Sequence, residues 1–218
     1  MPTAQDILDA ALLSNLAYSL QPNVDQSGGW SVLSRTQLDP DGALGLTQAK
    51  WDDDATDTDN SQYLYDIQNA QGIVATKDHT LAISFHGSEN WSDYLADLNG
   101  GLNSFLSQYA LFANLLTAAE AYARNPLNGI TEVLITGHSL GAAMADIYMA
   151  HNHVTDLNLV GVTFGSPGDP RILNGGVRDV RIIDIQHSGD GVVNATEFVF
   201  GAPNQFQGGQ VTVDLRNV

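Results

Sequence analysis

The chain has 218 residues, with 25 aspartates and glutamates against 8 lysines and arginines, a net charge of −17 and no cysteine. This length suits a single α/β domain, which we expect to extend over residues 1–218. The missing cysteine excludes disulfides and thiolate metal sites, and the acidic charge argues against binding nucleic acid or an anionic membrane surface.

An amphipathic helix is predicted at the N-terminus, over residues 3–18. Thr3 and Asp6 form a helix-starting pattern, and apolar residues then recur at helical spacing as far as about Tyr18. Residues 21–50 mix proline, glycine, aspartate and serine with scattered apolar positions. This mixture predicts a loop with one short helix at most.

The sharpest charge cluster is the run from Trp51 to Asp59. As a calcium loop that starts at Asp57, it has Gln62 at the sixth position, where an EF-hand needs glycine, and Gln68 at the twelfth, where it needs glutamate. Runs of like charge are usually solvated, so we predict a surface loop. No metal site and no cofactor are predicted, and calcium in this loop is the alternative.

Strands and helices alternate through the rest of the chain. Two strands that should pair antiparallel lead into a third, more buried strand, and a long helix follows it. The predicted elements are strands at 63–67, 72–76 and 80–85, a helix at 102–124, a strand from 133, a helix at 139–152, strands at 159–164 and 180–186, and a strand-like run at 206–215. This order predicts an α/β fold with a mostly parallel central sheet, helices on both faces and an antiparallel N-terminal edge.

A G-x-S-x-G pentapeptide at residues 137–141 is the motif that carries chemistry. An apolar strand leads into it and a small-residue helix leaves it, which is the context of a nucleophile elbow. Such a turn holds its nucleophile in a strained conformation, so Gly137 and Gly141 are needed on either side. The pattern predicts Ser139 as the nucleophile, with the helix beginning on the serine itself.

A serine nucleophile needs an oriented histidine and amide donors for the oxyanion. Asp190 is the predicted acid, because it follows the carboxyl end of a β-branched strand; Asp184 and Asp169 are less well placed, and a surface-turn role is the alternative for Asp190. The backbone N–H of Leu140 is one predicted oxyanion donor. Ser88, in the loop after the third strand, is the other, and its alternative role is an ordinary helix N-cap.

The histidine that would accept the serine proton is hard to assign, because no histidine follows Asp190 in the sequence. The six histidines are His79, His86, His138, His151, His153 and His187. His151 and His153 end the predicted elbow helix on the side away from Ser139. His187, three residues before Asp190, is the fallback candidate for the base.

Four motifs in order resemble the class 3 lipases, the family that includes the fungal triacylglycerol lipases. The matched segments are Phe85-His86-Gly87-Ser88 with Asn90-Trp91 and Asp97-Leu98, Thr136-Gly137-His138-Ser139-Leu140-Gly141-Ala142, Thr163-Phe164-Gly165-Ser166-Pro167 and His187-Ser188-Gly189-Asp190. The resemblance implies an α/β-hydrolase fold and ester hydrolysis through an acyl-enzyme. It also implies a lid helix that carries Trp91, whose alternative role is to fix a surface helix to the core.

Two departures from the family pattern bear on function. His86 stands where the family usually has arginine, and the catalytic histidine that the family supplies near its C-terminus is missing. We therefore expect a chain that stops short of that segment.

The leading prediction is a serine carboxylic ester hydrolase, of the lipase or carboxylesterase type, that acts on lipid or other esters. The alternative is a non-catalytic, lipase-like module that binds lipid, polyester or a protein partner through the same cleft. No apolar run approaches the ~20 residues that span a bilayer, and the N-terminus lacks the regions of a signal peptide. We expect a secreted or extracellular protein without an N-terminal signal peptide, with a cytoplasmic location as the alternative.

Overall fold

The computed structural model of the chain describes residues 1–18, 28–51, 63–68, 70–87, 102–151, 156–167, 181–187 and 209–213. The N-terminal part contains α1 (Ala4–Leu16), β1 (Ser31–Val32), α2 (Arg35–Leu38), a 3-10 helix (Leu46–Gln48), β2 (Lys50–Trp51), β3 (Tyr65–Ile67), β4 (Ala70–Lys77) and β5 (Thr80–Phe85). The remainder contains α3 (Leu102–Ala110), α4 (Ala113–Arg124), a second 3-10 helix (Pro126–Asn128), β6 (Glu132–His138), α5 (Leu140–His151), β7 (Asn158–Phe164), β8 (Ile182–His187) and β9 (Gly209–Val213).

The described strands form one mixed sheet in the order β2-β3-β4-β5-β6-β7-β8-β9, and β1 pairs with β4. All pairs from β2 to β5 are antiparallel, and all pairs from β5 to β9 are parallel. The change of direction falls on β5, which pairs with β4 on one side and with β6 on the other. The predicted α/β fold with an antiparallel N-terminal edge is therefore confirmed.

Helices cover both faces of this sheet. On one face, Leu81 and Ile83 of β5 belong to a core that also contains residues of α4 and α5, including Leu115 and Met144. On the other face, Ala82 belongs to a second core with residues of α1. Because alternate residues of a strand point to opposite faces, the apolar run of β5 supplies both cores, as expected of a central strand buried on both sides.

The N-terminal helix forms as its sequence predicts. The Thr3 side chain accepts a hydrogen bond from the N–H of Asp6, and the Asp6 carboxylate accepts one from the N–H of Thr3, which completes a capping box. The helix then ends at Leu16, close to the predicted end. Between residues 28 and 51, the predicted loop with one short helix holds α2, a 3-10 helix and two short strands.

The single long helix predicted over residues 102–124 is wrong. The structure has two helices, α3 and α4, with a break at Leu111 and Phe112. The Leu111 carbonyl accepts a hydrogen bond from the Tyr65 hydroxyl at 2.7 Å. The Phe112 ring packs edge-on against Phe85 at 4.9 Å. The helix is thus interrupted where Leu111 contacts β3 and where the Phe112 ring enters the core.

Tyr65 links the helix break to the pH dependence of stability. Burial, and then the nearby Asp66 carboxylate, raise the pKa of Tyr65 from 10.0 to about 12. The folded protein therefore keeps this hydroxyl protonated where the unfolded chain loses its proton. The Tyr65 contribution is intact below pH 10 and is lost as the pH rises from 10 toward 12.

We expect the free energy of unfolding to fall between pH 10 and 12 in the native protein, and to fall less in Tyr65→Phe. The substitution also leaves the Leu111 carbonyl without this donor, which should cost about 1–3 kcal/mol at neutral pH. Urea unfolding across this pH range measures both effects, with Tyr122→Phe as the control. Identical pH profiles for the native protein and Tyr65→Phe would contradict the role of this hydroxyl.

No helix that the structure describes has both the length and the apolar composition that a membrane span requires.

Candidate active site

Ser139 lies in a strained turn directly after β6. Its φ angle is +58°, in the left-handed region that residues with a Cβ rarely adopt. The Ser139 N–H donates to the carbonyl of Phe164 at 3.0 Å, and the Ser139 carbonyl accepts from the N–H groups of Ala142 and Ala143 at 3.0 and 3.2 Å. These bonds hold the turn between β7 and α5. Because the serine is left-handed, the helix begins at Leu140 and not on Ser139 as predicted.

The two glycines of the pentapeptide are needed because backbones meet there. A Cβ at Gly137 would overlap the backbone of Gly141, and a Cβ at Gly141 would overlap the carbonyl of Phe85. Strand, turn and helix thus approach more closely than any side chain permits. Ser139 therefore lies at the carboxyl ends of the parallel strands, where open α/β sheets place their active sites.

Leu140 occupies the place that an oxyanion donor requires. It is the first residue of α5, so it belongs to the turn whose N–H groups have no acceptor within the helix. The positive end of the helix dipole lies at the same point and favours developing negative charge. The backbone of Leu140 is therefore compatible with the predicted role.

The loop after β5 enters the site beside the nucleophile. A Cβ at Gly87 would meet the Tyr18 hydroxyl, the His138 carbonyl and the Cβ of Ser139. Gly87, the residue before Ser88 in the sequence, thus lies beside the elbow. Ser88 itself, Trp91 and Asp190 lie outside the described residues, as do the acidic run at 52–59 and Asp169. Their predicted roles, and calcium in the acidic run, stay predictions.

The fold removes two histidines from the search for a base. His79 lies in the turn between β4 and β5, at the opposite edge of the sheet, where its Nδ1 is 2.9 Å from the carbonyl of Gly129. His151 ends α5, a helix of 12 residues and therefore roughly 18 Å long, which starts next to Ser139. Neither imidazole can reach the serine, and His153 lies outside the described residues.

A cluster of Tyr18, His86 and His138 lies on the α1 side of the elbow. The Tyr18 hydroxyl is 3.0 Å from Nδ1 of His138, and its ring lies 4.1 Å from the ring of the buried His86. His86, the residue that departs from the class 3 lipase pattern, thus packs in an aromatic contact. The sequence gives no sign that Tyr18 belongs to this cluster, because helical periodicity marks only the end of α1 there.

His187 ends β8 at the same edge of the sheet as Ser139. Strand β7 lies between β6 and β8, so the two backbones are separated by two strand spacings, roughly 10 Å. The structure describes the backbone of His187 and not its side chain. His187 stays the fallback candidate for the base.

Buried carboxylates join β7, β8 and α5 beneath the site. Oδ1 of Asp184 accepts hydrogen bonds from Oγ1 of Thr163 at 2.8 Å and from the N–H of Ser166 at 3.1 Å. The Ser166 hydroxyl donates to Oδ2 of Asp146 at 2.5 Å. Asp146 and Asp184 are only 1% and 2% exposed. Asp184 therefore has a structural role.

Removal of this carboxylate should destabilise the fold strongly. We expect Asp184→Ala to lower the free energy of unfolding by about 3 kcal/mol, because Thr163 and Ser166 lose a buried acceptor. Asp184→Asn should cost less, since its amide oxygen still accepts. Asp66→Ala, at a half-buried carboxylate of β3, is the control. Chemical denaturation measures the three variants, and a loss under 1 kcal/mol in Asp184→Ala would contradict the structural role.

The fold and the serine turn define a lipase-like α/β-hydrolase. The Lip2 lipase of Yarrowia lipolytica matches with a TM-score of 0.56 at 16% identity, over 96% of this chain and 78% of that one. A lipase from Rhizopus microsporus var. chinensis matches with a TM-score of 0.52 at 15% identity, over 88% and 69% of the two chains. At these identities the likeness concerns the fold.

Residues 9–168 match the family model of the Tle-like phospholipase domain, a phospholipase-like group, and the chain belongs to this family. A search of curated proteins finds no match. The matched range contains residues 9–16 of α1 and the serine turn and ends before Asp190. Family and fold together support a lipolytic hydrolase.

Proposed function

We propose that the protein is a serine carboxylic ester hydrolase that cleaves lipid esters through an acyl-enzyme on Ser139. The observation that carries this proposal is the left-handed backbone of Ser139, with φ +58°, between two glycines that admit no Cβ. Such strain persists only where the surrounding structure over-determines it, and it is characteristic of functional sites. An ordinary helix start has no need of it.

The mechanism follows from the position of the turn. Oγ of Ser139 attacks the acyl carbonyl carbon while a histidine accepts its proton. The N–H of Leu140, with Ser88, stabilises the oxyanion of the tetrahedral intermediate. Collapse of the intermediate expels the alcohol, which takes the proton from the histidine. Water then attacks the acyl-enzyme in the same way and releases the carboxylic acid.

Asp190 is the proposed acid that orients the histidine. Within this sequence, His187 is the candidate base, because its strand ends at the same edge as the elbow and it precedes Asp190 by three residues. If His187 accepts the proton, His187→Ala removes activity as fully as loss of the serine does. Retention of activity in His187→Ala excludes it as the base.

The family match supports a phospholipid as the ester. The experiment compares fatty-acid release from phosphatidylcholine vesicles with release from a triglyceride emulsion, for the native protein and Ser139→Ala. We expect the native protein to release fatty acid from the phospholipid vesicles, and we expect no release by Ser139→Ala. Faster hydrolysis of the triglyceride would contradict the phospholipid assignment and leave the serine mechanism standing.

Covalent labelling tests the nucleophile directly. A fluorophosphonate should label the native protein at Ser139, and the label should be absent from Ser139→Ala. Ser107→Ala is the matched control, because Ser107 is an exposed serine of α3. Mass spectrometry of the labelled peptide identifies the site, and label found elsewhere would contradict the proposal.

A second candidate, the non-catalytic binding module, is favoured by one observation: none of residues 191–218 is a histidine. This candidate predicts no labelling of Ser139 and no ester hydrolysis. It also predicts binding to lipid vesicles that is unchanged in Ser139→Ala. Sedimentation with phosphatidylcholine vesicles, alongside the labelling experiment, separates the two functions.

A further inference from the structure

A cleft of about 460 Å³ runs beside α1 on the face of the sheet that this helix covers. The described residues that line it are Ala11, Ser14, Asn15, Tyr18, His138 and Phe164. The first four recur at helical spacing and share one side of α1 and its C-terminal turn. Ligand sites usually have volumes in this range.

The surface of the cleft is mostly apolar, although several of the residues that line it are polar. The Ser14 hydroxyl pairs with Oγ1 of Thr136 at 2.8 Å, in the contact between α1 and β6. The Tyr18 hydroxyl pairs with Nδ1 of His138 at 3.0 Å. Because these polar atoms hydrogen-bond to one another, their side chains present methylene and ring surfaces to the cleft. An apolar ligand therefore fits it better than a charged one.

The cleft adjoins the serine turn. Tyr18 and Ser139 both approach the position that a Cβ of Gly87 would occupy, so the tyrosine that lines the cleft lies next to the serine. On the other side, the backbone carbonyl of Phe164, a second lining residue, accepts the N–H of Ser139. A chain bonded to Oγ of Ser139 can therefore enter the cleft between Tyr18 and Phe164.

We propose that this cleft holds the acyl chain of the ester, so that α1 sets the chain-length preference. This inference rests on the proposed function, because it places the acyl group of the Ser139 acyl-enzyme. None of the described lining residues is a lysine or arginine, so a phosphate headgroup has no cationic partner in this part of the cleft. The headgroup side of the ester must therefore lie outside it.

The length of α1 sets the expected chain length. Ala11 and Tyr18 are seven residues apart, which corresponds to roughly 10 Å along a helix. Each methylene of an extended alkyl chain adds about 1.25 Å, from a C–C bond of about 1.52 Å and an angle of about 111°. The cleft therefore accommodates about eight carbons, which is a medium-length acyl group.

The test is a series of p-nitrophenyl esters from C2 to C12, with Ser139→Ala as the blank. In the native protein, kcat/KM should rise about fourfold with each methylene up to about C8 and then level off. Ala11→Phe narrows the far end of the cleft, so the ratio of kcat/KM for C8 to that for C4 should fall at least tenfold. Ala121→Phe makes the same change at an exposed alanine of α4, on the opposite face of the sheet, and should leave the ratio unchanged.

A binding measurement tests the cleft without any chemistry. The Ser139→Ala protein should bind a fluorescent octanoate, and the further change Ala11→Phe should weaken this binding at least tenfold while Ala121→Phe does not. If fluorophosphonate labels Ser139 but Ala11→Phe changes neither the ester series nor the binding, the result contradicts the acyl-binding role of the cleft and supports the hydrolase function. If Ser139 is inert but the octanoate binds and Ala11→Phe weakens its binding, the result contradicts the hydrolase and supports the acyl cleft.

Discussion

Ser139→Ala is expected to lower kcat for ester hydrolysis by about 10⁴-fold or more, because the remaining groups cannot form the acyl-enzyme. KM should change little, since the substituted hydroxyl contributes to the covalent step more than to ground-state binding. Initial rates on a soluble ester measure both constants. Ser107→Ala, on the exposed surface of α3, is the control and should keep the native rate.

The stability of the serine variants distinguishes a catalytic turn from a merely structural one. Ser139→Ala keeps a Cβ in the left-handed region and should unfold at nearly the native denaturant concentration. Ser139→Gly removes the Cβ and should be more stable by about 1 kcal/mol, while it is equally inactive. A Ser139→Gly protein that is less stable than Ser139→Ala would show that the turn is not strained.

Gly141→Ala is expected to destabilise the fold by about 3 kcal/mol or more and to abolish activity. The new Cβ would overlap the Phe85 carbonyl, so either α5 or β5 must move. Backbone atoms in a packed sheet have little room to shift, and the displacement would also carry Ser139 away from the loop after β5. Thermal and urea unfolding measure the loss, and labelling of Ser139 reports the position of the nucleophile.

Gly129→Ala is the matched control for this substitution. Gly129, unlike Gly141, has a positive φ, +64°, and the nearest atom to a Cβ there is Nδ1 of His79 at 3.7 Å, an ordinary contact. Its cost should therefore be that of a left-handed alanine alone, about 1 kcal/mol. Equal losses in Gly141→Ala and Gly129→Ala would contradict the close approach of α5 to β5.

Features that depend on neighbouring residues were predictable from the sequence. The capping box of α1 is read from Thr3 and Asp6, and β5 is read from its β-branched and apolar run. The serine turn has the same origin, because its glycines and its flanking strand are contiguous. The change from antiparallel to parallel pairing was predictable because the connection before β5 is short and the connections after it are long.

The features that were missed depend on contacts between distant residues. The break between α3 and α4 coincides with a hydrogen bond from Tyr65 to Leu111, which are 46 residues apart in sequence. Tyr18 meets His138 across 120 residues. Helical periodicity continues through residues 111 and 112, so only the position of β3 against the helices reveals the break.

Family motifs predicted the parts of the site that lie within one segment. They point to Ser139 and Leu140, because the pentapeptide fixes the position of both in the sequence. The base was harder, since imidazoles from separate elements compete for the role. The fold reduces this set by placing His79 and His151 away from the carboxyl edge.

The change from antiparallel to parallel pairing at β5 also governs the order in which the chain can fold. Strands β3, β4 and β5 are joined by short connections and pair with their sequence neighbours, so they can associate early. The first parallel pair aligns Thr80 with Glu132, and it must close a long loop before any contact compensates the lost entropy. The turn at Ser139, which follows β6, therefore acquires its left-handed geometry late, after the antiparallel strands have already paired.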